Sequence, residues 1–373
     1  MRDLLLSRPI QDVDLLLETG ALSFAKSLGT RLGVRPRVHE RFRTATLDLA
    51  SATRLDIAEA RSETYDHPGA LPRVRSGAAL AEDLARRDFT VNAIALELSP
   101  RWHSRAVDPF GGQEDLDRRL LRLLHPRSPH DDPTRAFRAV RYGNRLGFSI
   151  EARSRRWIRE ALAGGSLERV SGDRVRRELI RIFSEARWGA AAERMRRLGL
   201  AAALHPAFSG GVRDASRLAR AERLARRFGA TWLSALLAWS ADLSAEQAGE
   251  IATRLSLVGK SGEVLRQWPE TLRDLAVLTR SARARVGEWG AAASRDERVA
   301  AAAAFPLLER DLLGAARNPL ALRIRGRDLL AAGAPPGPRI GLALSKTLAA
   351  RRAGQIPEEE ELSFALKSLS PSP

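Results

Sequence analysis

Strand-like alternation of apolar and polar residues is confined to the first third of this 373-residue chain. The alternating segments are DVDLLLE, TATLDLA, RLDIAEA and DFTVNAIAL, which begin at residues 12, 44, 54 and 88. Beyond about residue 125 the apolar residues recur with a period near 3.6, which predicts helices separated by glycine- and proline-containing breaks. The predicted fold class is therefore α+β, a small head with a mixed sheet followed by a long all-helical remainder.

The charge of the chain predicts a phosphate-rich partner. Its formal net charge is +17, and nearly all of its basic residues are arginine. A strongly basic surface binds nucleic acid through counterion release, and the planar guanidinium suits bidentate contacts with phosphate. A coding bias toward arginine accounts for the arginine-to-lysine ratio, but it leaves the excess over aspartate and glutamate unexplained.

The chain contains no cysteine, which excludes disulfides, thiolate nucleophiles and cysteine-ligated zinc. This composition fits a reducing compartment. The sequence also offers neither a signal-peptide core nor an apolar run of about 18 residues. We therefore expect a cytoplasmic protein with no membrane partner.

Two aspartates in the first strand are candidate metal ligands. Asp12 and Asp14 are separated by one residue, so both carboxylates leave the same strand face, about 6 to 7 Å apart along the backbone. Val13 and Leu15 are predicted to point into the core. Carboxylates placed in this way can share Mg²⁺ with the phosphates of a nucleotide, although an exposed strand face gives the same pattern. Asp56, in a later strand, would complete a three-carboxylate site if it were aligned beside this pair.

A second polar cluster precedes the apolar segment FTVNAIAL. It consists of Arg86, Arg87, Asp88 and Asn92, which together place two cations, one anion and one amide at the edge of a buried element. Each of these groups needs a partner when it is buried. One interpretation is a ligand site. The alternative is an internal arginine–aspartate pair that only braces the head.

The segment DDPTRAFRAVRYGNRLGF, from residue 131, predicts a helix with defined ends. Asp132 is the expected N-cap, Pro133 the first helical residue and Gly147 the stop. A cationic stripe on one face of this helix is predicted from Arg135, Arg138 and Arg141.

Arg135 lies three residues after Asp132, so the two side chains can lie side by side. Such a pair can act as a template for a nucleobase. An aspartate acceptor beside an arginine donor matches cytosine and adenine, each of which presents an amino donor next to a ring-nitrogen acceptor. Uracil or guanine would leave buried polar groups of this pair without hydrogen-bond partners, so the pair would select strongly for cytosine and adenine. The alternative is an ordinary capping aspartate with an i,i+3 salt bridge.

Taken together, these segments resemble the class II tRNA nucleotidyltransferases, which comprise the CCA-adding enzymes and the related bacterial poly(A) polymerases. The resemblance rests on RDLLLSRPIQDVDLLLE, RRDFTVNAIAL, DPFGGQEDL, DDPTRAFRAVRYGNRLGF, GDRVRRELIRIF and GRDLLAAGAPPGPRIGLAL. These matches cover most of residues 1–205 and residues 326–344, whereas residues 206–320 match only as helix.

The resemblance implies a division of the chain into four parts. Residues 1–124 would form a polymerase-β-like nucleotidyltransferase head. A helical neck with the base template would follow at 125–206, a helical body at 207–315, and a helical tail that binds tRNA at 316–373.

The resemblance also implies roles for individual residues. Asp12 and Asp14 would bind Mg²⁺, and Asp56 would be a third catalytic carboxylate. Arg174 and Arg177 would support the neck, and Asp131 stands where the family has a longer glutamate. The implied nucleotide-binding residues are Arg2, Asp3, Arg87, Asp88, Asn92, Asp132, Arg135, Arg138 and Arg141.

The implied reaction is template-independent addition of C and A residues from CTP and ATP to the 3′ end of tRNA, with release of pyrophosphate. The enzyme would hold tRNA by its 3′ end and elbow. Residues 61–84 occupy the place of the family's specificity-switching loop and show no obvious deletion, which favours full CCA addition. Addition of CC or A alone, poly(A) synthesis and a non-catalytic RNA-binding role remain alternatives. The six histidines offer no series typical of an HD phosphohydrolase.

The first residues of the chain match only the second half of the family motif. In the family a strand and a Gly-Gly pair precede Val-Arg-Asp, and the glycines let backbone N–H groups approach the triphosphate. Met1 stands at the place of that valine. Because GTG encodes valine and also serves as a start codon, we expect the natural protein to begin upstream of Met1; a degenerate protein is the alternative.

Overall fold

The computed structural model describes residues 1–10, 12–49, 53–98, 105–209, 211–281, 283–314, 322–352 and 355–369. The chain forms two compact units. Unit 1 comprises Met1–Ile182 and Arg194–Ser209, and unit 2 comprises Phe183–Glu193 and Gly210–Pro373. The predicted small α+β head and helical remainder are confirmed, and the four-part division of the chain stays a proposal.

The main sheet of unit 1 is mixed. Its strands are β1 (Asp12–Leu17), β2 (Arg37–His39), β3 (Thr44–Asp48) and β4 (Arg54–Glu59), in the order β1-β4-β3-β2. β1 runs parallel to β4, whereas β3 is antiparallel to both of its neighbours. The chain leaves β1 through helix α2 (Ala21–Leu32), which packs on β3 and β4. A shorter helix, α1 (Arg2–Leu5), precedes β1.

The core of this sheet lies beneath α2. Its fully buried members include Ala21 and Ala25 from the helix and Leu47 and Ile57 from the central strands. The prediction that Val13 points into the core is wrong, because its side chain is 36% exposed. β1 is an edge strand of the sheet, so its first residues are poorly covered.

The other strands of unit 1 pair two by two. They are β5 (Arg61–Thr64) with β6 (Arg73–Ser76), β7 (Ala95–Glu97) with β8 (Arg105–Val107), and β9 (Leu120–Leu121) with β10 (Ser149–Ile150). The helices are α3 (Leu80–Ala85), α4 (Gly112–Asp117), α5 (Ser128–Asp131), α6 (Arg135–Leu146), α7 (Ala152–Ala163) and α10 (Leu200–Leu204). The boundary between the units falls within α8 (Gly172–Phe183) and α9 (Trp188–Leu198).

The segment DFTVNAIAL is not the continuous strand that its alternation predicts. Thr90–Asn92 form a 3₁₀ turn, and the strand begins only at Ala95. The Asp88 carboxylate accepts hydrogen bonds from the backbone N–H of Phe89 and from the Asn92 side chain. These contacts close the chain into a turn at the point where alternation alone predicts extended backbone.

The helix predicted to begin at Asp132 begins later, at Arg135. Asp132 has extended backbone angles and caps the end of α5. Its side chain accepts hydrogen bonds from the N–H and hydroxyl of Thr134, which forms a local turn ahead of the helix. The predicted stop is confirmed, since Gly147 is the C-cap with a φ of 74°.

Helices are the only regular secondary structure among the described residues of unit 2. Its helices beyond α9 are α11 (Val212–Phe228), α12 (Trp232–Trp239), α13 (Ala245–Arg254), α14 (Gly259–Ser281), α15 (Arg283–Ala292), α16 (Arg295–Ala304), α17 (Glu309–Gly314), α18 (Gly326–Ala331), α19 (Pro338–Arg352) and α20 (Glu361–Lys367).

Capping and buried aromatic rings organise these helices. Ser244 and Ser294 form capping boxes at the starts of α13 and α16. Trp268 is fully buried and donates its indole N–H to the Leu237 carbonyl at 2.8 Å. Among the described residues, no helix combines the length and apolar character needed to cross a membrane.

Candidate functional site

The register of β1 against β4 brings three aspartates together on neighbouring strands. Asp14 lies opposite Asp56, and Asp12 lies opposite Arg54. The carboxylates of Asp12 and Asp14 are exposed, and neither has a hydrogen bond or ion pair within the part of the chain that is described. The register thus places Asp56 beside the first pair, which is the condition stated for a three-carboxylate site.

Asp56 differs from the other two because its carboxylate is occupied. It accepts a hydrogen bond from the Thr46 hydroxyl at 2.5 Å and pairs with Arg54 at 3.0 Å. The described residues contain no group of three acidic or histidine side chains close enough to hold one ion. The described residues therefore do not bring the three carboxylates into one cluster, because Asp56 is engaged by Thr46 and Arg54, and the roles of all three stay predictions.

The two remaining carboxylates fit a hard divalent cation. Mg²⁺ commonly takes one or two carboxylates from a protein and fills its other positions with water and substrate phosphate. Asp12 and Asp14 supply oxygen ligands on a solvent-facing strand, with no competing cation paired to them among the described residues. Such a site would be completed by its substrate.

Asp88 is the centre of a second group of polar contacts. It is 6% exposed and accepts hydrogen bonds from Asn92 Nδ2 at 2.8 Å and from Arg138 Nε at 2.6 Å. Burial by itself would raise the pKa of this carboxyl. The charge of Arg138 and the two hydrogen bonds outweigh burial and hold the pKa of Asp88 below its usual value. Asp88 is thus ionised at neutral pH.

Arg2 extends this network to the first helix. Its guanidinium donates to Asn92 Oδ1 at 2.6 Å and forms a bidentate pair with Asp3 at 2.9 and 2.8 Å. The hydrogen bond from Arg2 lowers the pKa of Asp3, although burial opposes the shift. Contacts therefore run from Arg2 through Asn92 and Asp88 to Arg138. Arg2, the turn with Asp88 and Asn92, and Arg138 are widely separated in sequence, and the fold brings these three segments into contact.

The arginines before Asp88 brace the head. Arg86 pairs with the fully buried Asp83 at 2.7 Å and with Glu63 at 2.8 Å. These contacts match the alternative in which an internal arginine–aspartate pair braces the head. Arg87 also pairs with Asp83, at 3.2 Å, and donates to the Asn92 carbonyl at 3.2 Å. Arg87 therefore supports the turn that carries Asn92, and its role as a nucleotide ligand stays a prediction.

Asp132 is held by Arg174 and not by Arg135. Its Oδ1 atom accepts from Arg174 Nη2 at 3.0 Å, and Arg174 Nη1 donates to the Gly69 carbonyl at 2.8 Å. Asp132 Oδ2 has no donor among the described residues. One carboxylate oxygen is thus fixed, and the other is open to a ligand.

Arg135 is buried, so the three arginines of α6 do not form the uniform stripe that the sequence predicts. Arg135 is 5% exposed and donates to the Ser128 hydroxyl and, at 2.6 Å, to the Arg86 carbonyl. It is the first residue of α6, where the preceding turn directs it toward α5. Its Nε–H group has no acceptor among the described residues.

Sequence reasoning singled out neither Tyr65 nor Tyr142, although each contacts a residue described above. The Tyr65 hydroxyl donates to Glu63 at 3.0 Å, and burial together with the Glu63 charge raises its pKa, so the hydroxyl stays protonated. Tyr142 contacts Arg138 through its ring. Its place four residues after Arg138, on the same helix face, is the signal that identifies it.

Comparison with known families matches two parts of the chain. Residues 1–122 match the Poly A polymerase head domain, and residues 147–210 match the probable RNA- and SrmB-binding site of polymerase A. A solved CCA-adding enzyme in an apo form superposes with a TM-score of 0.76 at 30% identity, covering 98% of this chain and 89% of that one. A CCA-adding enzyme in complex with ATP gives 0.73 at 29% identity. These matches confirm the polymerase-β-like head.

Relatives of known name extend the comparison. The CC-adding tRNA nucleotidyltransferase of Deinococcus radiodurans is 30% identical over 370 residues, 99% of this chain and 87% of that protein. The A-adding tRNA nucleotidyltransferase of Geobacter sulfurreducens is 38% identical over 206 residues. That of Halalkalibacterium halodurans is 41% identical over 177 residues. The matches cover 23% and 41% of these two A-adding proteins.

Proposed function

Because this chain belongs to the tRNA nucleotidyltransferase family, we propose that it adds C and A residues from CTP and ATP to the 3′ end of tRNA. The observation that carries the proposal is the parallel register of β1 and β4, which sets Asp12 and Asp14 on an open strand face beside Asp56. Similarity to a tRNA nucleotidyltransferase over 99% of the chain supports tRNA as the acceptor.

Asp12 and Asp14 are the proposed ligands for Mg²⁺. When bound, Mg²⁺ supplies positive charge that neutralises the triphosphate and makes the 3′-hydroxyl of tRNA a better nucleophile. Asp56 keeps the strand beside them in place through its contacts with Thr46 and Arg54. The two ligand carboxylates thereby remain on a rigid element.

The transfer itself is an in-line displacement. The 3′-hydroxyl oxygen bonds to the α-phosphorus, the bond to the β-phosphate oxygen breaks, pyrophosphate leaves, and the hydroxyl proton passes to solvent. We propose that Arg138 and Arg141 hold the triphosphate. Asp88 holds Arg138 and Asn92 holds Arg2, and we propose that Asp88 and Asn92 also contact the ribose of the nucleotide.

The open atoms of Asp132 and Arg135 support their proposed role as the base template. Asp132 Oδ2 is an acceptor and Arg135 Nε–H a donor, and neither has a partner among the described residues. This pair complements the amino group and ring nitrogen shared by cytosine and adenine.

Substitution of Arg135 by alanine is expected to loosen selection of CTP and ATP over UTP and GTP by roughly tenfold or more, since a lost donor removes the discrimination. Values of kcat/KM with each nucleotide measure this. Asp132→Asn tests the acceptor with little change of shape. Unchanged nucleotide preference in both variants contradicts the template role.

A second candidate, addition of CC alone, is favoured by the similarity to a CC-adding relative over 99% of the chain. Against it, residues 61–84 retain the β5–β6 hairpin, which supports full CCA addition. The two functions differ in one reaction. A CC-adding enzyme leaves tRNA ending in CC unchanged in the presence of ATP, whereas a CCA-adding enzyme extends it by one A.

The affinity for tRNA is expected to fall by several powers of ten between about 50 and 200 mM salt, because binding by a chain of net charge +17 releases counterions. Equilibrium binding to labelled tRNA across a salt series measures the slope. The Asp12→Asn variant is the control and should show the same slope. An affinity that does not change with salt argues against phosphate contacts as the source of binding.

A further inference from the structure

Four arginines contact the ring of Tyr142. Their guanidinium carbons lie 4.9 Å (Arg2), 5.4 Å (Arg138), 5.2 Å (Arg141) and 5.6 Å (Arg145) from the ring centroid. The ring itself is 9% exposed and meets Phe89 edge-on, with centroids 6.0 Å apart. Packing against Phe89 fixes the plane of the ring, so its electron-rich faces are presented to the cations in one orientation.

Cations stacked on an aromatic face are attracted by the ring quadrupole, which partly offsets the repulsion among like charges held together. Three of the four arginines come from α6 itself, whereas Arg2 comes from α1. Tyr142 is therefore a contact through which the start of the chain is joined to α6. Without the ring, the remaining interaction among these guanidinium groups is mutual repulsion.

Two of the stacked arginines also contact the proposed nucleotide site. Arg138 pairs with Asp88, and Arg2 donates to Asn92. Arg138 also donates to the Tyr142 hydroxyl at 3.3 Å, so both the ring and the hydroxyl of Tyr142 contact the Arg138 side chain. Each of the two guanidinium groups contacts both a polar site residue and the same ring.

We infer that Tyr142 is a positioning residue for the triphosphate, because its ring holds Arg2 and Arg138 in the orientation in which they face the nucleotide. The inference rests on the proposed function. Tyr142 has no contact with the Asp132 template in the described structure, so it should affect the affinity for nucleotides without affecting the choice among bases.

Replacement of Tyr142 with leucine tests this role. Tyr142→Leu should raise KM for CTP and for ATP by ~10-fold, with a smaller effect on kcat and an unchanged preference for CTP over UTP. Tyr142→Phe keeps the ring and should recover most of the affinity. A merely structural role would lower the active fraction, and so the apparent kcat, without changing KM.

Phe137→Leu is the matched control. It removes a fully buried ring from the same helix, and no arginine stacks on Phe137 among the described residues. It should lower the melting temperature and leave KM unchanged. If Tyr142→Leu is not recovered in folded form, Tyr142→Met, which is closer to tyrosine in length, takes its place.

Equilibrium binding of CTP separates this inference from the proposed function. If wild-type protein binds and incorporates CTP while the leucine or methionine variant binds it equally well, the inference is overturned and the proposed function stands. If the wild-type protein neither binds nor incorporates CTP, both are overturned. Weakened binding restored by Tyr142→Phe supports both.

Discussion

Replacing Asp14 with asparagine is expected to reduce nucleotide incorporation by a factor of roughly 10²–10³, because an amide no longer supplies the negative oxygen that holds the metal ion. Asp12→Asn should behave in the same way. Binding of tRNA should stay near the wild-type value, since neither side chain has a structural contact among the described residues. Single-turnover extension of a labelled tRNA measures the rate.

Asp48→Asn is the matched control for these variants. Asp48 is an exposed aspartate at the end of β3 in the same sheet, where it pairs only with the exposed Arg37 among the described residues. Its substitution should leave incorporation unchanged. Retained turnover in Asp14→Asn, with Mg²⁺ in excess, would remove Asp14 from the metal site.

Replacing Arg138 with methionine is expected to destabilise unit 1 by about 3–5 kcal/mol at pH 7, because it leaves the buried Asp88 charge without its ion-pair partner. Denaturant unfolding followed by tryptophan fluorescence or circular dichroism measures the change. Arg127→Met is the control, because Arg127 is 82% exposed and its contact with Asp131 is long, at 3.8 Å. That variant should shift stability by less than about 0.5 kcal/mol.

The pH dependence of the Arg138→Met effect has a defined sign. In the wild type the pKa of Asp88 is held below its unfolded value of about 3.9, so the ion pair contributes its full stability above that value and loses it as pH falls through the native pKa. In Arg138→Met, burial is left to raise the pKa of Asp88. The stability difference between the two proteins should therefore shrink as pH falls from 7 toward 4. A constant difference over this range would show that the cost of the variant does not come from the Asp88 charge.

Local patterns in the sequence located much of the fold. Strands β1, β3 and β4 follow from period-two alternation, and the end of α6 follows from Gly147, where a left-handed backbone favours glycine. These features depend on neighbouring residues, so a local pattern is sufficient to reveal them. The parallel alignment of Asp14 with Asp56 does not follow from local patterns, because alternation alone does not show which strands are neighbours.

The errors arise where a distant side chain decides the local structure. Asp88 closes a turn in an alternating segment, and its ion-pair partner lies 50 residues further along the chain. Asp132 is paired with Arg174, 42 residues away, and not with Arg135, which the salt-bridge alternative predicted. Neither ion pair can be recognised from the residues that are adjacent in sequence. The contacts of Arg86 with Glu63 and with the Arg61 carbonyl, 23 and 25 residues away, are of the same kind.

The most direct test of the proposed function uses three tRNA transcripts, which end at the discriminator base, after one C and after CC. Each is incubated with Mg²⁺ and with CTP, ATP, UTP, GTP or the CTP and ATP mixture, and the products are resolved to single nucleotides. We predict extension to CC with CTP alone, addition of one A to the CC transcript with ATP alone, and CCA with the mixture. Failure of all three transcripts to be extended by any nucleotide would contradict the assignment of this chain as a tRNA nucleotidyltransferase.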